Sequence, residues 1–164
     1  MCQSVHLYKL TQLLLLTIQL IYVKLVSMND TNCIFCKIID GEIPCDKVYE
    51  NEHTFAFLDI RPVNPGHILV IPKEHHINIT QTPDEILGAM MSTAKKIAQT
   101  FPAALGTEHY NLEVNTGSIA GQVIFHAHLH LIPRHAGDGL ELWHGKSYEE
   151  GRSKIIAEKI KNSL

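Results

Sequence analysis

The chain of 164 residues is 45% hydrophobic and 19% charged, which supplies apolar material for one compact core and leaves little for a second. Its formal net charge of -3, with acidic and basic residues interspersed, gives no electrostatic footprint for a nucleic-acid polymer. Four cysteines are too few for a disulfide-dense scaffold, whereas 11 histidines are many for this length, and several cluster between His109 and His144.

The first segment, Leu10 to Val26, is strongly apolar but is interrupted by Thr11, Gln12, Thr17, Gln19 and Lys24. It is short for spanning roughly 30 Å of hydrocarbon. It lacks the basic start and small-x-small exit of a secretory signal. A weak membrane anchor is one reading. The favoured one takes Met28 as the true start, because a polar Asn-Asp-Thr-Asn stretch follows it as a soluble terminus would. The expected organisation is therefore an extension over residues 1–27 and a single domain over residues 28–164, in a cytoplasmic protein, with membrane anchoring as the alternative if the extension is real.

Cys33 and Cys36 form a Cys-x-x-Cys spacing suited to metal binding or redox chemistry; Cys2 and Cys45 have no such partner. Lys47–Tyr49, Thr54–Leu58 and His67–Ile71 are short apolar or alternating runs bounded by Asn51-Glu52, Asn64-Pro65-Gly66 and Pro72, and so predict an antiparallel meander. Thr82-Pro83-Asp84-Glu85 opens the clearest helix, with Thr82 as N-cap, and Ile86, Leu87, Met90, Met91, Ala94, Ile97 and Ala98 recur at helical spacing. Tyr110–Asn115 alternates as a strand, Gly117–Gly121 reads as a loop, and Val123–Ile132 alternates again until Pro133. Lys154–Ile160 predicts a short C-terminal helix. Strands, one long helix, then strands again give an α+β domain without internal repeats.

The run Phe125-His126-Ala127-His128-Leu129-His130-Leu131-Ile132 carries the chemistry. A strand's period of two puts the three imidazoles on one face, with neighbouring rings roughly 6 to 7 Å apart, and Ala127, Leu129 and Leu131 on the other. A row of imidazoles can combine nucleophile, proton donor and phosphate binder near neutral pH, which suits attack on phosphorus. Three polar rings merely tolerated on a sheet face would be costly without partners. A metal site built by the row itself is a further reading, although the middle ring of a straight row does not point at an apex shared with its neighbours.

His126-Ala127-His128-Leu129-His130-Leu131-Ile132 resembles the His-φ-His-φ-His-φ-φ signature of the histidine-triad (HIT) superfamily. The resemblance extends in order and spacing through Cys33–Ile39, Phe57–Pro62, Gly66–Lys73, Asn115 and Gly121-Gln122, and covers Asn32 to His135. It implies a HIT-like fold and a hydrolase or transferase acting on the α-phosphate of purine nucleotide conjugates, either phosphoramidates or dinucleoside polyphosphates. His128 would become covalently nucleotidylated, with His126 and His130 flanking it as catalytic partners.

The same resemblance assigns the ribose hydroxyls to Asp59, the apolar walls around the purine to Phe35, Ile38 and Ile60, and positions near the phosphate to Asn115, Gln122 and Val123. Val123 stands where one branch has a serine, so that hydroxyl is missing here. For Phe35 and Ile38, ordinary core packing is an equal reading. The resemblance further implies a structural zinc held by Cys33, Cys36, His75 and His126, with His76 chemically as apt as His75, no organic cofactor, and a homodimer paired through the long helix and a neighbouring strand. The stripe of Ile86, Met90, Ala94 and Ile97 suits either that interface or an intrachain core. Alternatives of a different class are a non-catalytic nucleotide sensor and a zinc-stabilised interaction module.

Overall fold

The structure, a computed structural model, describes residues 32–164. The expected extension over residues 1–27 and the start at Met28 lie outside the described residues. Among those described, no helix is long and apolar enough to cross a membrane.

Helix α1 (Ile34–Ile39) leads into strands β1 (Lys47–Glu50), β2 (Thr54–Leu58) and β3 (Ile68–Pro72). A 3-10 turn (Ile79–Gln81), the long helix α2 (Asp84–Ala98) and the short α3 (Phe101–Leu105) follow. Then come β4 (Tyr110–Glu113), a second 3-10 turn (Ser118–Ala120), β5 (Leu129–Pro133) and helix α4 (Arg152–Lys161). The strands form one antiparallel sheet in the order β1-β2-β3-β5-β4, so the expected meander is its first half and β5 is inserted beside β3. The fold is α+β, as the element pattern predicts.

Period-two alternation divides the sheet into two faces, one closed by α2 and α3 and the other partly covered by α1. Ala56, Ile68, Val70, Leu129 and Leu131 meet Met90, Ala94, Ile97 and Ala98 of α2 and Phe101 of α3. The helical stripe of Met90, Ala94 and Ile97 therefore serves the intrachain core. Burying such side chains contributes roughly 1.5 to 3 kcal/mol each for the larger ones. Phe55, Phe57, Leu69 and Ile71 face the other way and pack with Cys33, Phe35 and Cys36 of the α1 segment. Coverage on both faces explains why β2 and β3 read as nearly continuous apolar runs rather than clean alternations.

Helix α2 begins one residue later than Thr82 as N-cap would require. Pro83 occupies the cap position, and the Thr82 hydroxyl instead donates to the Asn78 carbonyl at 2.9 Å, closing the preceding 3-10 turn. Asp84 and Glu85 in the first turn and Lys95 and Lys96 in the last complement the helix dipole.

Gly66, in the turn before β3, has φ +88°, and a Cβ there would lie 2.7 Å from Leu105 Cδ1. The left-handed backbone and the close packing of α3 both call for glycine. At the far end of β5, the Arg134 guanidinium bonds both Asp138 carboxylate oxygens at 2.6 and 2.9 Å, Asn111 Oδ1 at 2.7 Å and the Leu140 carbonyl at 2.7 Å. The guanidinium holds the Asp138 carboxyl well below the usual carboxylate range. Beyond Leu140, residues 141–150 are exposed and have no regular structure, and α4 buries none of its residues.

Candidate active site

The histidine run is not one continuous strand. The ladder begins only at Leu129, paired with Val70, while Leu69 faces His130 and Ile68 faces Leu131. Upstream of it the backbone leaves the sheet: the Ala127 N–H donates to the His76 carbonyl at 2.6 Å. The expected strand from Val123 is thereby shortened, and the three imidazoles acquire different surroundings. His126 is fully buried, His128 is nearly so, and His130 is half-buried. The His128 and His130 ring centroids are 4.8 Å apart and tilted by 73°, closer than a regular strand would set them.

Each ring's tautomer follows from groups that can act in only one sense. The His126 carbonyl can only accept, so His128, whose Nδ1 lies 2.6 Å from it, carries its hydrogen on Nδ1 and leaves a lone pair on Nε2. Likewise the Pro72 carbonyl, 2.9 Å from His126 Nε2, puts that ring's hydrogen on Nε2 and its lone pair on Nδ1. The Val63 N–H donates to His67 Nδ1 at 3.2 Å, so His67 Nε2 donates across 3.0 Å to His130 Nδ1. His130 then presents Nε2–H. The 3.6 Å separation of His67 Nδ1 from Asp59 Oδ2 is, on this assignment, not an ion pair.

Burial keeps these rings neutral. It lowers His130 to about 4, reinforced by His128 and His67 and opposed by Asp59, and lowers His126 to about 4 against the opposing Pro72 carbonyl. His128 and His67 are also lowered, chiefly by burial. A neutral His128 with a free Nε2 lone pair is a competent nucleophile at pH 7.

A cavity of about 540 Å³ opens between α1, the end of β2 and the loop before β5. Of the residues singled out in the sequence, Phe35, Ile38, Asp59, Ile60, Val123, His128 and His130 line it. Ile60 and Val123 are largely exposed at its mouth, whereas Phe35 is buried and stacks edge-on against His128 with centroids 5.5 Å apart. Asp59 uses Oδ1 to accept the Arg61 N–H at 2.8 Å, which fixes its carboxylate at the wall.

Asn115 and Gln122 are not among the lining residues. Gln122 is buried and fully engaged: its amide donates to the Ile77 and Ile124 carbonyls at 2.6 and 3.1 Å and accepts from Gly117 N–H at 2.8 Å. It shapes the loop that forms the pocket wall. Asn115 is next to Gly121, and its side-chain nitrogen would sit 3.7 Å from a Cβ placed there.

His126 points away from the cavity. Its Nδ1 lies 3.5 Å from Cys33 Sγ and 3.7 Å from Cys36 Sγ, and His75 Nδ1 lies 3.4 Å from Cys36 Sγ. The four potential ligand atoms fall within 4.8 Å of one another. A tetrahedral zinc with bonds of about 2.3 Å to sulfur and about 2.0 to 2.1 Å to nitrogen has sulfur-to-nitrogen edges of about 3.6 Å, so the donor set fits that ion. His76 is outside this group. Among the described residues its buried Nε2 has no hydrogen-bond partner, and it lies 3.7 Å from the Glu74 carboxylate.

His67 was not anticipated as a site residue. It directly precedes an apolar strand, and only the β3–β5 register, which sets Leu69 two residues further on opposite His130, brings its ring to the histidine row. Cys45, without a partner in the sequence, lines the same cavity. Desolvation and Asp46 push its thiol up, which makes it a poor nucleophile beside His128.

Fold and site together define an α+β protein in which a sheet-borne row of neutral histidines meets a cavity of nucleotide size. The HIT domain family matches residues 40–137, more than half of the chain, and the chain belongs to that family. It is 42% identical to an adenylylsulfatase of Arabidopsis thaliana over 132 residues, 80% of this chain and 66% of that protein. It is 45% identical to the adenosine 5'-monophosphoramidase of Schizosaccharomyces pombe over 103 residues, 63% of this chain and 74% of the relative. A zinc-bound histidine-triad protein from Mycobacterium smegmatis superposes with a TM-score of 0.65 at 35% identity, covering 81% of this chain and 98% of the other.

Proposed function

We propose that the chain is a nucleotide hydrolase that acts on the α-phosphate of a purine nucleotide conjugate and passes the nucleotidyl group through His128. The observation that carries this reading is the 2.6 Å bond from His128 Nδ1 to the His126 carbonyl, which leaves the Nε2 lone pair for attack at a cavity that also contains Asp59 and His130. Nε2 attacks phosphorus, an N–P bond forms and the bond to the leaving group breaks. Water then cleaves the N–P bond, releasing the nucleoside monophosphate and restoring the imidazole. His130 Nε2–H is a donor for a non-bridging oxygen on which charge accumulates.

Asp59 binds the ribose hydroxyls as an acceptor, and Phe35, Ile38 and Ile60 supply the apolar surface for the base. Adenylyl conjugates are the favoured class, because the names of the Arabidopsis and fission-yeast relatives share the adenylyl group and differ in what it is joined to. The reading includes zinc held by Cys33, Cys36, His75 and His126. When bound, the ion supplies a cross-link between α1, the segment after β3 and the histidine run. Pairing of two chains through α2 and β4 remains part of the proposal, supported by β4 standing at one edge of the sheet.

The test is intact-protein mass spectrometry after brief mixing with adenosine 5'-phosphoramidate and acid quench. An adenylyl adduct in the wild type and none in His128→Ala is expected. Turnover unchanged by His128→Ala would overturn the mechanism.

A further inference from the structure

The cavity has two chemically different ends. Residues opposite one another across the sheet run His130, Leu69, Phe57 and Lys47, on β5, β3, β2 and β1 in turn. Three strand spacings of about 4.8 Å put roughly 14 Å between the first and the last. His130, Leu69 and Phe57 line the cavity, and so does Asp46, the residue before Lys47. His128 and His130 therefore stand at one end of this row and Asp46 at the other, with α1 and the Ile43-Pro44 segment along the side. A nucleotide whose phosphorus meets His128 and whose ribose meets Asp59 lays its base toward β1 and brings the outer edge of the base to Asp46.

The Asp46 backbone is fixed while its side chain is left over. Its carbonyl accepts the Leu58 N–H at 3.0 Å, which holds the residue beside the end of β2. Among the described residues its carboxylate takes part in no hydrogen bond or ion pair. The adjacent Lys47 ammonium is engaged with Glu50 at 2.9 Å, and the carboxylate of Asp59 already has the Arg61 N–H. The Asp46 charge is felt on the cavity side, since after burial it is what raises the Cys45 thiol on the same wall.

Resting on the nucleotide reading above, we propose that Asp46 reads the base, accepting N1–H and the 2-amino group of guanine and so admitting guanylyl conjugates beside the adenylyl class. A carboxylate accepts with both oxygens at once when its partner offers two parallel donors. The N1–H and N2–H of guanine are such a pair. Adenine presents a lone pair at N1 and a C–H at C2, so the carboxylate meets an acceptor there and gains nothing. Hypoxanthine keeps N1–H but lacks the amine, and stands between the two. The apolar walls of Phe35, Ile38 and Ile60 hold any purine alike and leave the choice to this edge. Because Asp46 is exposed, water competes for its oxygens, and discrimination of about 10-fold is expected rather than the roughly 10⁴-fold of a buried polar site.

The experiment uses the full chain as wild type, Asp46→Ala and Asp46→Asn, with far-UV circular dichroism to check folding. kcat/KM is measured for guanosine, inosine and adenosine 5'-phosphoramidates, and affinity for GMP, IMP and AMP by calorimetry. The guanine-to-adenine ratio is expected to fall about 10-fold in Asp46→Ala, with inosine between the two. In Asp46→Asn, which keeps one acceptor oxygen, it is expected to fall about threefold.

A cavity wall merely loosened by substitution lowers all three nucleotides together and leaves the ratios where they were. Turnover with a guanine-to-adenine ratio unchanged in Asp46→Ala would therefore overturn the base assignment and leave the hydrolase reading standing. Calorimetry reads the ratio whether or not the phosphoramidates turn over. Nucleotides that bind with the shifted ratio but form no adduct at His128 would refute the hydrolase reading and support the role of Asp46. A chain that binds none of the three nucleotides overturns both.

Discussion

The two faces of the sheet are built from the same strands by the same alternation, and they differ in what covers them. Toward α2 the strands offer Ala56, Val70, Leu129 and Leu131, and a helix of 15 residues closes over them completely. Toward α1 they offer Phe55, Phe57, Leu69 and His130, and a helix of six residues covers only part of that surface. The uncovered remainder is the cavity. A long aliphatic lid makes a core, whereas a short lid carrying two thiols and a phenyl ring leaves room for chemistry, so stability and reactivity are separated across one layer of backbone.

If that division holds, substitutions on the two faces should fail in different ways. His128→Ala is expected to reduce turnover by at least about 10⁴-fold, read as loss of the adenylyl adduct and of product. Its unfolding free energy should fall only modestly, by the roughly 1 to 3 kcal/mol of leaving the His126 carbonyl without its donor, read by denaturant unfolding. Met90→Ala, fully buried on the α2 face, should cost about 2 to 5 kcal/mol in denaturant unfolding while the folded fraction adenylylates at the wild-type rate. A slowed adduct in Met90→Ala would show that the faces are coupled.

Asp59→Ala should weaken AMP by about 10- to 100-fold and leave binding of a 2',3'-dideoxy analogue nearly unchanged, measured by calorimetry. Equal losses on both ligands would remove the ribose assignment. The pH dependence of stability also belongs to the histidine face. Native His67, His128 and His130 titrate lower than in the unfolded chain, His130 at about 4. Their contribution is therefore complete above about pH 6.5, where unfolded rings are neutral, and is lost as the pH falls toward 4 and the unfolded state takes up the extra protons. Denaturation midpoints should decline over that interval, and His130→Asn should flatten the decline.

Much of this was legible in the chain. The helix α2 announces itself through the spacing of Met90, Ala94 and Ile97, and β1 to β3 through the turn residues that bound them. The proposed nucleophile stands out because three imidazoles at period two would be costly on a sheet face without partners. The helix α1 escaped because six residues cannot display a helical period, and its helical state depends on burying Phe35 and Cys36 under the sheet. The late start of β5 escaped for a different reason: alternation already runs through His126, and whether Ala127 N–H pairs with β3 or with the His76 carbonyl is decided by tertiary structure. The same limit hid His67, whose partner lies 63 residues away. Gln122 carries a related lesson, since a polar residue beside a phosphate signature is here spent on backbone carbonyls.

The Arg134 clamp has a consequence for how the molecule comes apart. Leu140 is the last residue whose backbone the guanidinium holds, and the following stretch exposes Leu142, Trp143 and Tyr148 without any secondary structure to shield the backbone. A protease needs about that length of unpaired chain to bind and cut. Limited digestion should therefore enter between residues 141 and 150 and release α4 early, leaving a resistant fragment that still contains the whole sheet and the histidine row. An initial cut elsewhere among the described residues would mean that the arm is held by something other than this chain.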